Sequence, residues 1–264
     1  MRFHVPIVLI VCMVVVSCAM VRDLNMVSTD QELELGAQFA QQIEQEVTLY
    51  TDPEVVGYID NLGQRLVRHS RRADIPYSFK VVDDPETVNA FALPGGYVYV
   101  YCGLILRAEN ESELAGVIAH EIGHVVARHG AKLMTKKLGL AAIVQLVAGE
   151  SPDLWRKLGA DFVGVGGAIG ILKYSRDHEL ESDICAVEET YAAGIDPDGT
   201  ATFFEKLLEM EEQEPGAAEQ LSSTHPLTRK RIEEVRRKIA ALPAKEGLVR
   251  DSDRFRRVQA MLRK

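Results

Sequence analysis

The chain has 264 residues, with 30 lysines and arginines against 39 aspartates and glutamates, and a formal charge of −9 at pH 7. A surface of that sign gives a polyanion no footing, so nucleic acid is not an expected partner. The length suffices for one sizeable domain or two small ones, and the four cysteines are too few for a disulfide framework. Cys102 and Cys185 are expected as small buried hydrophobes.

The chain opens with Arg2, an apolar run from Val5 to Val16, and Ser17-Cys18-Ala19. The run is short of the roughly 20 residues that a membrane span requires, and it has the charge, apolar centre and small-residue end of an export signal. Val15-Val16-Ser17-Cys18 resembles a bacterial lipobox, so residues 1–17 are read as a signal peptide, Cys18 as a lipidated membrane anchor and 18–27 as a lipidated linker. Ala19, where an aspartate would retain a lipoprotein at the inner membrane, favours the outer one. Ser28-Thr29-Asp30 then starts a polar helix that reaches about Tyr50. Asp52-Pro53 begins the next, whose apolar stripe is Val55, Val56, Ile59, Leu62 and Leu66.

Alternation and β-branched residues predict a strand from Tyr77 to Val82, followed by the turn Asp83-Asp84-Pro85. The segment from Asn89 to Gly96 leads into a second strand, Tyr97 to Tyr101, and Gly95-Gly96 allow a tight turn or a close backbone approach. An exposed edge at Tyr97, Val98 and Tyr99 would pair with an extended peptide through main-chain hydrogen bonds. An internal strand of a small sheet accounts for the same residues equally well.

Asn110-Glu111-Ser112-Glu113 caps a helix that Gly130 is expected to end, and this helix carries His120-Glu121-Ile122-Gly123-His124. Residues four apart project from one face, so both histidines can reach one ion with Glu121 beside it. Zn²⁺ held by few protein ligands activates water and polarises a carbonyl, and a neighbouring carboxylate then takes the proton. Leu114, Ile118, Ile122 and Val125 form the predicted core stripe, while Gly116, Ala119, Gly123 and Ala127 border the histidine face and leave room for another element. His129 falls elsewhere, near the helix's last carbonyls.

The apolar pieces between Lys132 and Leu172 are too short for membrane spans and are read as a helical hairpin near the cleft. A third ligand is expected from the helix that follows. There Leu180, Ile184, Val187 and Tyr191 make the predicted buried stripe, with Glu179 and Asp183 on its flank. That position makes Glu179 the better candidate ligand and Asp183 a partner that orients a ligating imidazole, while His178 and Glu181 read as a solvated face.

These motifs, with Ser223-Thr224-His225-Pro226 followed by Arg229 and Arg231, together resemble the HtpX/BepA/LoiP-like zinc metallopeptidase family over about Thr29 to Ala240. Ser182 is the one departure, standing where the family usually has alanine. The resemblance implies an α+β, mostly helical, zincin-like domain over 28–242, a small sheet beside the histidine helix, and a C-terminal tail at 243–264. It is most similar to LoiP-like lipoproteins, since it lacks the spans of HtpX and the helical repeats that follow the BepA peptidase domain. It further implies one Zn²⁺ per chain on His120, His124 and Glu179, with Glu121 as base. His225, by the same resemblance, either holds the metal's open position as a self-inhibitory switch or stabilises the oxyanion; Arg229 and Arg231 read as surface or salt-bridging residues. The expected activity is endoproteolysis of misfolded or stalled envelope proteins on the periplasmic side of a bacterial membrane, with an assembly factor or chaperone that seldom cleaves as the alternative. The oligomeric state is not legible.

Overall fold

Several of the helices begin where a side-chain oxygen accepts the first unpaired amides of a turn. In the computed structural model, which describes residues 25, 27–136, 145, 174–213 and 219–263, Ser28 and Gln31 exchange such bonds at the head of α1, Thr29–Glu46. Asp52 accepts the Glu54 and Val55 amides ahead of α2, Pro53–Val67. After the short α3, Cys102–Arg107, Asn110 accepts the Glu113 amide at 3.1 Å and opens α4, Glu111–Val126. The later helices are α5, Arg176–Ala192, α6, Asp198–Gln213, α7, Glu219–Thr224, α8, Arg229–Ala240, and α9, Asp253–Leu262. The signal segment, Cys18 and nearly all of the apolar hairpin expected between Lys132 and Leu172 lie outside the described residues. Among the described residues no helix is long and apolar enough to cross a membrane.

One sheet of three strands stands beside α4 among the described residues: β1, Ser78–Val82, β2, Ala90–Leu93, and β3, Tyr97–Tyr101. Their order is β1-β3-β2, with β3 parallel to β1 and antiparallel to β2. This corrects the expected substrate edge. Tyr97, Val98 and Tyr99 lie on the central strand, whose backbone is paired on both sides, so they have no free edge to offer a peptide. The reason is the turn Pro94-Gly95-Gly96, which folds β2 back onto β3 through left-handed backbone at Gly95 (φ 80°) and Gly96 (φ 93°). Period-two alternation then divides the sheet. Ala90, Ala92, Val98 and Val100 pack in the core that includes Ile59 of α2 and Ile118 of α4, while Phe91, Leu93, Tyr99 and Tyr101 pack with Leu35, Phe39 and Ile43 of α1.

Helix α4 is buried on every face from Glu111 to Val125, so its expected apolar stripe is correct but is only part of what it buries. Its glycines set the approach of neighbours. A Cβ on Gly123 would stand 2.9 Å from Ser182 Cα of α5, and one on Gly116 would stand 2.8 Å from Thr200 Cα of α6. The face that α5 buries differs from the predicted one. Leu180, Ile184 and Tyr191 are only half-buried and Val187 is buried, whereas Glu179, Ser182, Asp183, Ala186 and Thr190 are buried as well. A helix that must pass close to Gly123 and carry carboxylates inward turns its small and polar side to the interior.

Helix α4 also stops before Gly130. The chain leaves it after Val126, Arg128 takes a left-handed φ of 57°, and helix resumes over 129–136. That backbone costs a non-glycine residue roughly 1–2 kcal/mol. Ion pairing to Glu32 (2.7 Å) and a hydrogen bond to the Val27 carbonyl (2.7 Å) hold Arg128 there, and Arg72 grips the same Glu32 through two nitrogens at 2.9 and 2.8 Å.

The segment after Pro243 packs back onto the domain. Gln259 donates to the Ile105 and Ala108 carbonyls at the end of α3, the Arg250 carbonyl accepts the Ser112 amide, and Asp251 accepts the Glu111 amide. Phe255 and Val258 are buried below. Because the contact at Gly123 is with backbone, Gly123→Ala must push α5 away. We expect a loss of about 1–3 kcal/mol in stability, read as a lowered denaturant midpoint, together with weaker metal binding.

Candidate metal centre and active site

The turn of α4 from His120 to His124 sets two imidazoles side by side with their Nε2 atoms 3.1 Å apart. Glu179 reaches in from α5, its Oε2 3.5 Å from His120 Nε2 and its Oε1 3.5 Å from His124 Nε2. His225, in the loop between α7 and α8, completes the cluster. Its Nδ1 lies 3.2 Å from both Glu179 oxygens and 3.3 Å from His120 Nε2. One donor atom from each of the four residues lies within 4.8 Å of all the others, and all four residues are buried.

The outward nitrogens of the two helical imidazoles are engaged elsewhere. His120 Nδ1 is 2.9 Å from Asp183 Oδ1, off the axis of a directed hydrogen bond but close enough for the carboxylate to hold a proton on that nitrogen. His124 Nδ1 is 3.0 Å from His129 Nδ1. With protons on both Nδ1 atoms, both Nε2 lone pairs would face a single cation, and Asp183 and Glu179, which draw positive charge to His120, would favour that cation as well. Tetrahedral Zn²⁺ with bonds of about 2.1 Å separates two nitrogens by about 3.4 Å, and imidazole and carboxylate without sulfur suit that ion. The residues fit a zinc site.

Charge closure comes from α8. Arg231 forms a two-pronged pair with Asp183, Nε and Nη2 each 2.7 Å from a carboxylate oxygen, and its Nη1 is 2.9 Å from Glu179 Oε2. The same Nη1 donates to the Pro226 carbonyl (3.1 Å) and the His225 carbonyl (3.4 Å). Burial would raise the Asp183 carboxyl, but Arg231 and His120 outweigh it and hold the group below its usual range. Burial likewise opposes ionisation of Glu179, yet His225, His120 and His124 keep it strongly acidic. For His120, desolvation is overcome by Asp183 and Glu179, which push the imidazole up to about 9. Desolvation wins at His124, held well below its ordinary value.

Glu121 is buried beside the cluster, and burial raises its carboxyl against the pull of His225 and His120. The Ala92 backbone of β2 also favours the ionised carboxylate, and His225 Nε2 lies 3.6 Å from Glu121 Oε1. Thus His120, Glu121, His124, Glu179 and Asp183 meet at one point, as the sequence predicts, and His225 joins them. The strand Tyr97-Val98-Tyr99 does not. Arg229 is an exposed ion-pairing residue and Arg231 is salt-bridging, both as expected, but Arg231 is buried; its place beside Ile232 and Val235, both buried in α8, is the signal for that depth. Glu181 is exposed, as expected, whereas His129 and His178 depart from expectation, the His178 ring being half-buried and stacked on His129. His129 is fully buried against His124 and Glu181 rather than lying at helix carbonyls, and Tyr174 stacks on the His124 ring at 4.1 Å.

A paired-histidine helix with an adjacent carboxylate, completed by an acid from a later helix, defines a metallopeptidase-type centre. The model of peptidase family M48 matches residues 53–239, and the chain belongs to that family. It is 32% identical over 221 residues to the beta-barrel assembly-enhancing protease of Escherichia coli K12, covering 79% of this chain and 44% of that protein. Against the mitochondrial metalloendopeptidase OMA1 of Schizosaccharomyces pombe it is 34% identical over 178 residues, 67% of this chain and 51% of that one. Metalloprotease LoiP of Escherichia coli K12 is 33% identical over 168 residues, 63% of this chain and 64% of LoiP. The chain therefore spans less than two thirds of the length of each of these relatives.

Asp183→Ala leaves His120 without its orienting carboxylate and Arg231 with Glu179 as its one remaining acidic partner in the cluster. A zinc affinity lower by about 10- to 100-fold is expected, measured by competition with a chromogenic chelator.

Proposed function

We propose that the protein is a zinc-dependent endopeptidase that acts on misfolded or stalled proteins of the bacterial cell envelope and rests with His225 across its active site. The observation that carries the peptidase reading is the buried donor cluster of His120, His124 and Glu179 with Glu121 beside it; the His225 imidazole, with Nδ1 among the donors and Nε2 facing the base, supports the resting state. Held there, the ring stands between Glu121 and the donor cluster, on the path that an attacking water and a substrate carbonyl would share.

Zn²⁺ on His120, His124 and Glu179 supplies Lewis acidity toward water and the scissile carbonyl. Once the His225 loop withdraws, Glu121 takes a proton from the attacking water and returns it to the leaving amine. Its raised affinity for a proton, set by burial, suits it to both steps. Because β2 is the terminal strand of the three described, an extended client would align along β2 rather than along the central β3.

The envelope setting draws on the names of the Escherichia coli relatives and on the lipobox-like residues before Cys18, which would tether the enzyme to the periplasmic face of the outer membrane. The assembly factor that seldom cleaves is favoured by one observation, the seated His225. Glu121→Gln separates the two. A peptidase loses about 10²–10⁴-fold in turnover and fails to complement a deletion strain, while an assembly factor still complements. Cleavage products of denatured envelope proteins, identified by mass spectrometry with and without chelator, provide the direct assay. In that assay His225→Ala should raise activity several-fold if the ring is a plug; a role in stabilising the oxyanion instead costs about 10²–10³-fold.

A further inference from the structure

We propose that His129 is the positioning residue for the metal ligand His124, accepting its Nδ1–H and passing its own Nε2–H to the carboxylate of Glu181. The inference rests on the metal reading of the centre and assigns work to residues which that reading leaves idle. A ligating histidine needs its second ring nitrogen anchored, because that bond fixes both the tautomer and the ring plane. Asp183 does this for His120. On the His124 side the atom within reach is not a carboxylate but another imidazole nitrogen, His129 Nδ1 at 3.0 Å.

The proton positions follow from a chain of single choices. His124 turns Nε2 toward Glu179 and His120, so the ligating form of the ring carries its proton on Nδ1. His129 Nδ1 must then accept, which leaves the proton of neutral His129 on Nε2. That nitrogen faces Glu181 Oε2 at 3.2 Å, an acceptor of the required kind. The Ser182 hydroxyl, 3.4 Å from His129 Nδ1, has room as a weaker second donor. Packing fixes the ring as firmly as the bonds do. His129 is fully buried, and the His178 ring stacks on it at 4.1 Å with an interplanar angle of 16°. The left-handed turn at Arg128, tied to Glu32, is what brings the residue after it back beside α4. The series metal, His124, His129, Glu181 runs from the buried centre to a side chain 48% exposed.

The test measures zinc affinity by chelator competition, the visible spectrum of the Co²⁺-loaded protein, and the melting temperature without metal. His129→Leu, which removes the acceptor, should weaken zinc binding about 10- to 100-fold and alter the Co²⁺ bands while the metal-free melting temperature stays near that of wild type. His129→Asn, whose Oδ1 can stand where Nδ1 stands, should recover most of the affinity and the wild-type bands. Glu181→Ala, at a partly exposed site that folding tolerates, should give a smaller loss in the same direction. Wild-type affinity in His129→Leu, or equal losses in the leucine and asparagine variants, overturns the proposal. If His129→Leu does not fold, the other two variants decide: unchanged affinity in Glu181→Ala, or an asparagine variant weaker than Glu181→Ala, overturns it. A wild-type protein that takes up neither Zn²⁺ nor Co²⁺ refutes the metal reading itself, an outcome separable from the others because it appears before any substitution is made.

Discussion

A guanidinium sealed between two carboxylates is the interaction on which the rest of the centre depends. Three imidazoles, Glu179, Asp183 and Glu121 are all withdrawn from water within one cluster, and unbalanced charge there would be expelled or neutralised. Arg231 answers Asp183 with two nitrogens and Glu179 with a third. Removing one member of such a buried pair typically costs about 3–5 kcal/mol, because the other is left charged and unsatisfied. Asp183 in turn governs His120, so a residue of α8 with no contact to the metal donors of α4 still sets how one of them is held. The loop bearing His225 hangs from the same guanidinium through two carbonyls. Charge balance and loop position are therefore functions of one side chain.

Distance between helices is the second constraint. Glu179 reaches the histidines only because α5 rides against α4 where Gly123 has no side chain and Ser182 is small. The same device at Gly116 admits α6 by Thr200. On the far side the sheet is sorted by alternation, valines and alanines toward α4 and aromatic rings toward α1. A helix enclosed in this way is held in rotation as well as in position. Two side chains one turn apart can then be kept at a fixed separation without a metal to draw them together.

Much of the centre was legible because its signals are local. Two histidines four apart with an adjacent glutamate need only helical periodicity, and the caps at Ser28, Asp52 and Asn110 follow from side-chain chemistry over three or four residues. Glu179 and Asp183 emerged from one helix's geometry. What stayed hidden depends on partners distant in sequence. The buried side of α5 is polar, so a count of apolar residues turned that helix the wrong way. Strand order is fixed by a turn whose outcome alternation cannot reveal, which is why Tyr97-Val98-Tyr99 passed for an edge. His129 was misplaced because Arg128, rather than the nearby Gly130, takes the left-handed backbone, supported by Glu32 almost a hundred residues earlier in the chain.

The attachments at the head of α4 bear on where this protein can be divided. The family match ends at residue 239, yet the first turn of the histidine helix gives its Glu111 and Ser112 amides to Asp251 and Arg250, and Ser252 donates to the Glu111 side chain. Tyr58 of α2 binds that same carboxylate. A fragment cut at the end of that match would keep every metal donor and lose the collar that seats the helix carrying two of them. The stretch matched by the family model is thus smaller than the unit these contacts hold together, and the difference is borne by a segment that contributes none of the metal donors.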